Sequence, residues 1–134
     1  MLAALARIPR FLTTIAVAKH RLFVWMEAPT LPDHSLFAFA RADDCSFGLL
    51  QSRLHDVWAL KQGTRLETRP RYTPTTCFET FPFPRSTASQ EVAIAAAAKE
   101  LSELRERWLN PPEWTVEKNP GIPRLRRWPL VPLH

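Results

Sequence analysis

The chain has 134 residues, 46% of them hydrophobic, and a formal net charge of +5; that length fits one domain with a modest core and excludes a wholly disordered polypeptide. Thirteen prolines stand against three glycines, and six of the prolines follow residue 110, which predicts an irregular C-terminal tail. Cys45 and Cys77 lie 32 positions apart with no C-x-x-C and no paired histidines nearby, so reduced cytoplasmic thiols are expected rather than a zinc site or disulfide framework.

Residues 2–8 read as the end of a helix stopped by Pro9. Residues 11–18 and 20–27, rich in Phe, Ile, Val and Trp, read as two strands with Ala18, Lys19, His20 and Arg21 at or near their turn. A Pro-containing loop at 28–34 leads to a third strand at 35–41. Asp44 or Ser46 is the expected cap of one helix, whose Phe47, Leu50, Leu54, Val57 and Trp58 share a face and which Gly63 ends. Residues 64–85 contain four prolines and read as an ordered crossing loop with a candidate short strand at 77–80. Thr87 and Gln90 match a capping box, opening a second helix with a stripe of Ile94, Ala97, Leu101, Leu104 and Trp108. Asn110, Pro111 and Pro112 stop it, and an extended tail runs on to His134. The expected class is α+β: a small antiparallel sheet of about three strands, two amphipathic helices and a Pro-rich irregular tail. No run approaches transmembrane length, so no membrane partner is expected. The FLTTIAVA run after Arg7 and Arg10 mimics a signal peptide, yet it is short and holds two threonines, so it is read as a strand.

Charge is segregated along the chain: +4 over 1–26, −3 over 27–60, +3 over 61–85, −3 over 86–117 and +4 beyond. Such blocks can fold into a positive face that binds a polyanion, or form a merely solvated basic surface. Fourteen of the 18 basic residues are arginine, whose planar fork suits phosphates and guanine edges.

Two constellations invite a catalytic reading. Asn110, Pro111, Pro112 and Glu113 resemble the Asn-Pro-Pro-aromatic motif of adenine methyltransferases, but a carboxylate fills the place of the stacking ring and no glycine-rich cofactor turn exists. Ser52, His55 and Asp56 share a helical segment without any sign of an oxyanion hole, so His55 is expected to be a buried hydrogen-bonding residue rather than a base.

Residues 47–84, FGLLQSRLHDVWALKQGTRLETRPRYTPTTCFETFPFP, join an amphipathic helix to an Arg-rich, Pro-punctuated loop. With ALARIPRF near the start, KHRLFVW at 19–25 and LRERWLNPPE at 104–113, they resemble the C-terminal part of MmeI-like enzymes. Those are large bacterial restriction–modification proteins in which a nuclease, an adenine-specific DNA methyltransferase and a target-recognition domain are joined in one chain. The resemblance implies a partial target-recognition domain at 1–85, a C-terminal helix at 86–110 and the extended tail at 111–134. It implies double-stranded DNA as a partner, with Lys19, His20, Arg21, Arg65, Arg69, Arg71 and Tyr72 as the contacting groups. Arg53, His55 and Trp58 would brace the loop or pack on the sheet, and the Phe81 to Pro84 segment would be structural.

The same resemblance places catalytic residues and S-adenosylmethionine in a methyltransferase portion that this chain lacks, with Met1 a candidate internal start; no catalytic, cofactor or metal residue is expected here. That missing portion is the second implied partner. Relatives tend to read TPRVAKHR where residues 14–21 read TIAVAKHR, so Ala16 implies a lost contact or a different recognised sequence. Without its parent portion, the strand at 11–17 and the stripe of the second helix would lack partners. The alternative is a non-functional remnant or a small protein-interaction module.

Overall fold

The computed structural model describes Leu5 and residues 7–111. Contacts divide the chain into two compact units, residues 1–99 and 100–134. In the first, β1 (Arg10–Ile15), β2 (Val24–Glu27) and β3 (Leu36–Phe39) form an antiparallel sheet in the order β2–β1–β3. Leu12 faces Trp25 on one side and Phe39 on the other. The expected class and sheet are therefore found, and the FLTTIAVA run supplies the central strand. Phe11, Leu12, Thr13 and Thr14 are all buried, so this strand is paired on both edges rather than left without partners. Its hydroxyls are satisfied: Thr13 donates to the Val24 carbonyl at 3.3 Å and Thr14 to that of Leu22 at 2.8 Å.

The strands are shorter than the sequence predicts. Pairing of β1 with β2 ends at Thr13 and Val24, and the chain beyond Ile15 turns away so that Val17 bridges to Arg71.

The single helix expected from 44 to 62 is two helices, α1 (Asp44–Gln51) and α2 (Arg53–Gln62). Asp43, not Asp44 or Ser46, caps the first, its carboxylate accepting from the Ser46 N–H at 2.7 Å. Ser52 breaks the run: its backbone is extended, its N–H closes α1 on Leu49, and its hydroxyl accepts from the His55 N–H to cap α2. The break resets the inward face. Phe47 and Leu50 are buried as expected, but α2 buries His55 and Ala59 and leaves Leu54 78% and Val57 54% exposed.

Gly63 ends α2 with its N–H on the Ala59 carbonyl at 2.8 Å. The crossing loop expected next contains a hairpin, β4 (Thr64–Leu66) and β5 (Arg69–Arg71), and one π-helical turn, Pro74–Phe78, replaces the strand expected at 77–80. Phe78 packs on Phe39 at 4.7 Å between ring centroids, Phe81 on His55 at 4.6 Å and Phe83 on Phe81 at 4.9 Å, so the FPFP segment is an anchor.

The capping box of α3 (Ala88–Leu109) forms as read: the Thr87 N–H donates to the Gln90 side chain at 2.9 Å, and the Gln90 N–H to the Thr87 hydroxyl at 3.4 Å. Its first half lies on α1, where Gly48 admits Ile94 and Ala98 so closely that an added Cβ would meet Ile94 Cγ2 at 2.7 Å. In the second unit Leu104 is 49% and Trp108 80% exposed, leaving that stretch of the stripe open as expected. Apart from Leu5, Arg7, Ile8 and Pro111, the helix expected at 2–8 and the tail at 111–134 lie outside the described residues. Among the described residues no helix is long and apolar enough to cross a membrane.

Candidate nucleic-acid interface

The two basic segments singled out in the sequence are brought together by main-chain pairing. The Tyr72 N–H donates to the Ala16 carbonyl at 2.8 Å and the Ala18 N–H to the Pro70 carbonyl at 3.3 Å, laying the 16–23 loop along the β4–β5 hairpin. Gln51, the last residue of α1, pins the loop from beneath. Its side-chain carbonyl accepts from the Phe23 N–H at 2.9 Å while its amide donates to the Arg21 carbonyl at 3.3 Å.

Within that frame the expected DNA-contacting residues separate. Lys19 and His20 are exposed at the loop, and Arg65, Arg69 and Arg71 are exposed on the hairpin. Arg69 lies 3.7 Å from Glu67, a weak solvent-exposed pair. Tyr72 is placed otherwise than expected, and Arg21 is less exposed than the other cations. Arg21 is half-buried, its guanidinium donating to the Thr14 hydroxyl at 3.2 Å and to the Ile15 carbonyl, and stacked 4.9 Å above the Tyr72 ring. Burial lowers its pKa, opposed by nearby Tyr72, Cys77 and Asp56. Tyr72 is 1% exposed, and its hydroxyl lies 3.0 Å from His55 Nε2, so its polar atom is spent inside the core rather than offered to a phosphate. A basic neighbourhood made it look like a surface residue.

The loop, α2 and β5 enclose a cavity of about 420 Å³. Lys19, Arg21, Arg53 and Arg71 line it, with Asp56 the carboxylate among the lining groups. Arg65 and Arg69 lie outside it. Arg53, expected to brace the loop or pack on the sheet, is exposed at the cavity wall, where the break at Ser52 sets the start of α2. Nothing in the sequence announces this, since the apolar spacing runs unbroken through residue 58.

The Ser52, His55 and Asp56 constellation does not assemble as a catalytic one. The Ser52 hydroxyl donates to the Leu49 carbonyl at 2.6 Å and the His55 imidazole points to Tyr72, so Ser52 has no base. Asn110 sits at the end of α3 with its side-chain amide on Glu106, while Pro112 and Glu113 lie outside the described residues. Cys45 and Cys77 are free thiols. Among the described residues no group of three His, Cys, Asp or Glu side chains is placed to hold a metal ion.

Residues 17–85, which include the loop, the hairpin and the cavity, match the model of the MmeI target recognition domain. Over 79 residues the chain is 32% identical to DNA methyltransferase A of Bacillus subtilis (strain 168), which covers 59% of this chain and 9% of that protein. A solved structure of the Type IIL restriction-modification enzyme MmeI in complex with DNA matches with a TM-score of 0.67 and 25% identity, over 76% of this chain and 14% of that one. The chain thus spans a small part of the length of each. It belongs to the MmeI target recognition domain family.

Proposed function

We propose that this chain is the double-stranded-DNA-binding target-recognition segment of a class I, S-adenosylmethionine-dependent, adenine-specific DNA methyltransferase of a cytoplasmic restriction–modification system, and that it is not catalytic by itself. The observation that carries the reading is the joint between the two basic segments: Lys19 and His20 stand beside the β4–β5 hairpin with Arg65, Arg69 and Arg71, held there by the Ala16, Ala18, Pro70 and Tyr72 main chain. Long cations on an exposed edge are what phosphate contact requires, and a two-stranded ribbon is thin enough to enter a major groove. Tyr72 positions these groups from below, and Arg21, stacked on its ring, faces the cavity. The match to a structure determined with DNA supports the same assignment. The methyl-transfer residues and the S-adenosylmethionine site belong, in this reading, to a methyltransferase portion that is the chain's second partner.

Fluorescence anisotropy with unrelated duplexes at low salt tests it. Replacing Arg65, Arg69 and Arg71 together by alanine weakens binding to all duplexes by a similar factor, and Lys19→Ala weakens it further, because phosphate contacts carry no sequence information. If neither set changes affinity, the DNA-facing assignment is wrong. Saturable binding of S-adenosylmethionine to the chain in calorimetry would refute the non-catalytic half.

A further inference from the structure

The cavity floor and walls come from three separate pieces of chain, and each contributes a cation: Lys19 and Arg21 from the loop, Arg53 from α2 and Arg71 from β5. Four cations against the carboxylate of Asp56 leave the site strongly positive. Among the described residues Lys19, Arg53 and Arg71 make no ion pair. Arg21 is different, being locked in place by Thr14, Ile15 and the Tyr72 ring. A fixed guanidinium with three long, exposed cations around it suits a tetrahedral oxyanion approached from several sides.

We propose that this cavity is a phosphate seat in which Lys19, Arg21, Arg53 and Arg71 close on a phosphate oxyanion, in the complex with DNA a backbone phosphodiester. This rests on the DNA-binding reading and adds Arg53, which lies on neither basic segment. Its role is sequence-independent: gripping one phosphate fixes the register in which the neighbouring hairpin meets base edges. Partial burial of Arg21 lowers its pKa, and an oxyanion in the seat would offset that lost hydration.

The test uses the whole chain, with Arg53→Gln, Arg53→Lys and, as a control outside the cavity, Arg85→Gln. Two titrations are followed: a short duplex by anisotropy across a salt series, and inorganic phosphate by NMR of the arginine Nε–H signals. For the seat, Arg53→Gln lowers the magnitude of the salt slope by about 0.9 for the lost phosphate contact, whereas Arg53→Lys and Arg85→Gln preserve it. Phosphate shifts the Arg21 signal in the wild type and less in Arg53→Gln. Duplex binding that Arg53→Gln leaves unchanged, with no phosphate-induced shift, overturns the seat while the DNA reading stands. Phosphate shifts without duplex binding uphold the seat for a free phosphate-bearing ligand and overturn the DNA reading. Failure of both titrations overturns the seat outright.

Discussion

His55 of α2 and Tyr72, the residue after β5, meet in the core with Nε2 and the phenol oxygen 3.0 Å apart, both side chains essentially excluded from solvent. The contact ties the helix to the basic hairpin, and through the Tyr72 ring it reaches the guanidinium of Arg21. Burial, assisted by the positive charge of Arg21, lowers the His55 pKa to about 4, and burial raises that of the Tyr72 phenol. Both groups are neutral near pH 7, and His55 Nδ1 has no hydrogen-bond partner among the described residues.

A pH dependence of stability follows. The unfolded imidazole takes up a proton near pH 6.5 and the folded one near 4, so between those values the unfolded state binds more protons. Stability contributed by this group is complete above about pH 6.5 and falls as the pH drops toward 4, by on the order of 2 kcal/mol. Urea unfolding at pH 7.5 and at 4.5 measures it. In His55→Gln that part of the slope disappears; an unchanged slope would show that other groups cause it.

Gly63 carries a second prediction. Its φ of −74° is open to any residue, so conformational freedom is not why glycine stands there. The reason is space: an added Cβ would lie 2.6 Å from the Arg71 carbonyl oxygen and 2.7 Å from that of Ala59, both backbone atoms that cannot swing aside. Gly63→Ala should therefore destabilise by about 1–3 kcal/mol and shift β5 away from α2. Thermal unfolding with amide exchange at Arg71 reads both effects, and an unperturbed Tm would contradict the close approach.

The features legible in the sequence were those fixed by local chemistry. Thr87 and Gln90 announce their reciprocal bonds by identity and spacing, and the β-branched and aromatic runs of β1 and β2 announce strands. Membership of the family was legible because residues 47–84 carry a long ordered pattern. The break at Ser52 was not, since Leu54, Val57 and Trp58 continue the helical period that Ser52 interrupts; its hydroxyl competes with the helix by capping a new one. The β4–β5 hairpin was hidden by Pro70 and by arginines that give no apolar alternation. The burial of Tyr72 is not legible, because sequence shows the charge around it but not the imidazole that arrives from α2.

The hairpin turn itself can be tested at Glu67, whose φ of 57° lies in the left-handed region where a side chain costs about 1–2 kcal/mol. Glycine relieves that strain but gives back part of the gain through its freer unfolded state. Glu67→Gly should raise stability by up to about 1 kcal/mol, while the β-branched Glu67→Val should lower it. Removing the carboxylate also releases Arg69 from its 3.7 Å neighbour, so duplex affinity should rise a few-fold in Glu67→Gly, roughly as one weak exposed ion pair allows. A loss of stability in the glycine variant would refute the turn geometry.

Gln51 separates positioning from direct contact. Its amide holds the Phe23 N–H at 2.9 Å and the Arg21 carbonyl at 3.3 Å, so it sets the loop that presents Lys19 and His20. Gln51→Ala removes both bonds and should cost about 1–2 kcal/mol, with faster amide exchange from residue 19 to 21. Gln51→Glu keeps the acceptor for Phe23, loses the donor to Arg21 and adds a negative charge at the wall of the cavity. It should therefore be the more stable variant near pH 7 and yet the weaker binder of duplex DNA, since repulsion of a phosphate adds to the loosened loop. If the two variants instead rank alike in stability and in affinity, Gln51 acts only through folding and the cavity beside it does not face the nucleic acid.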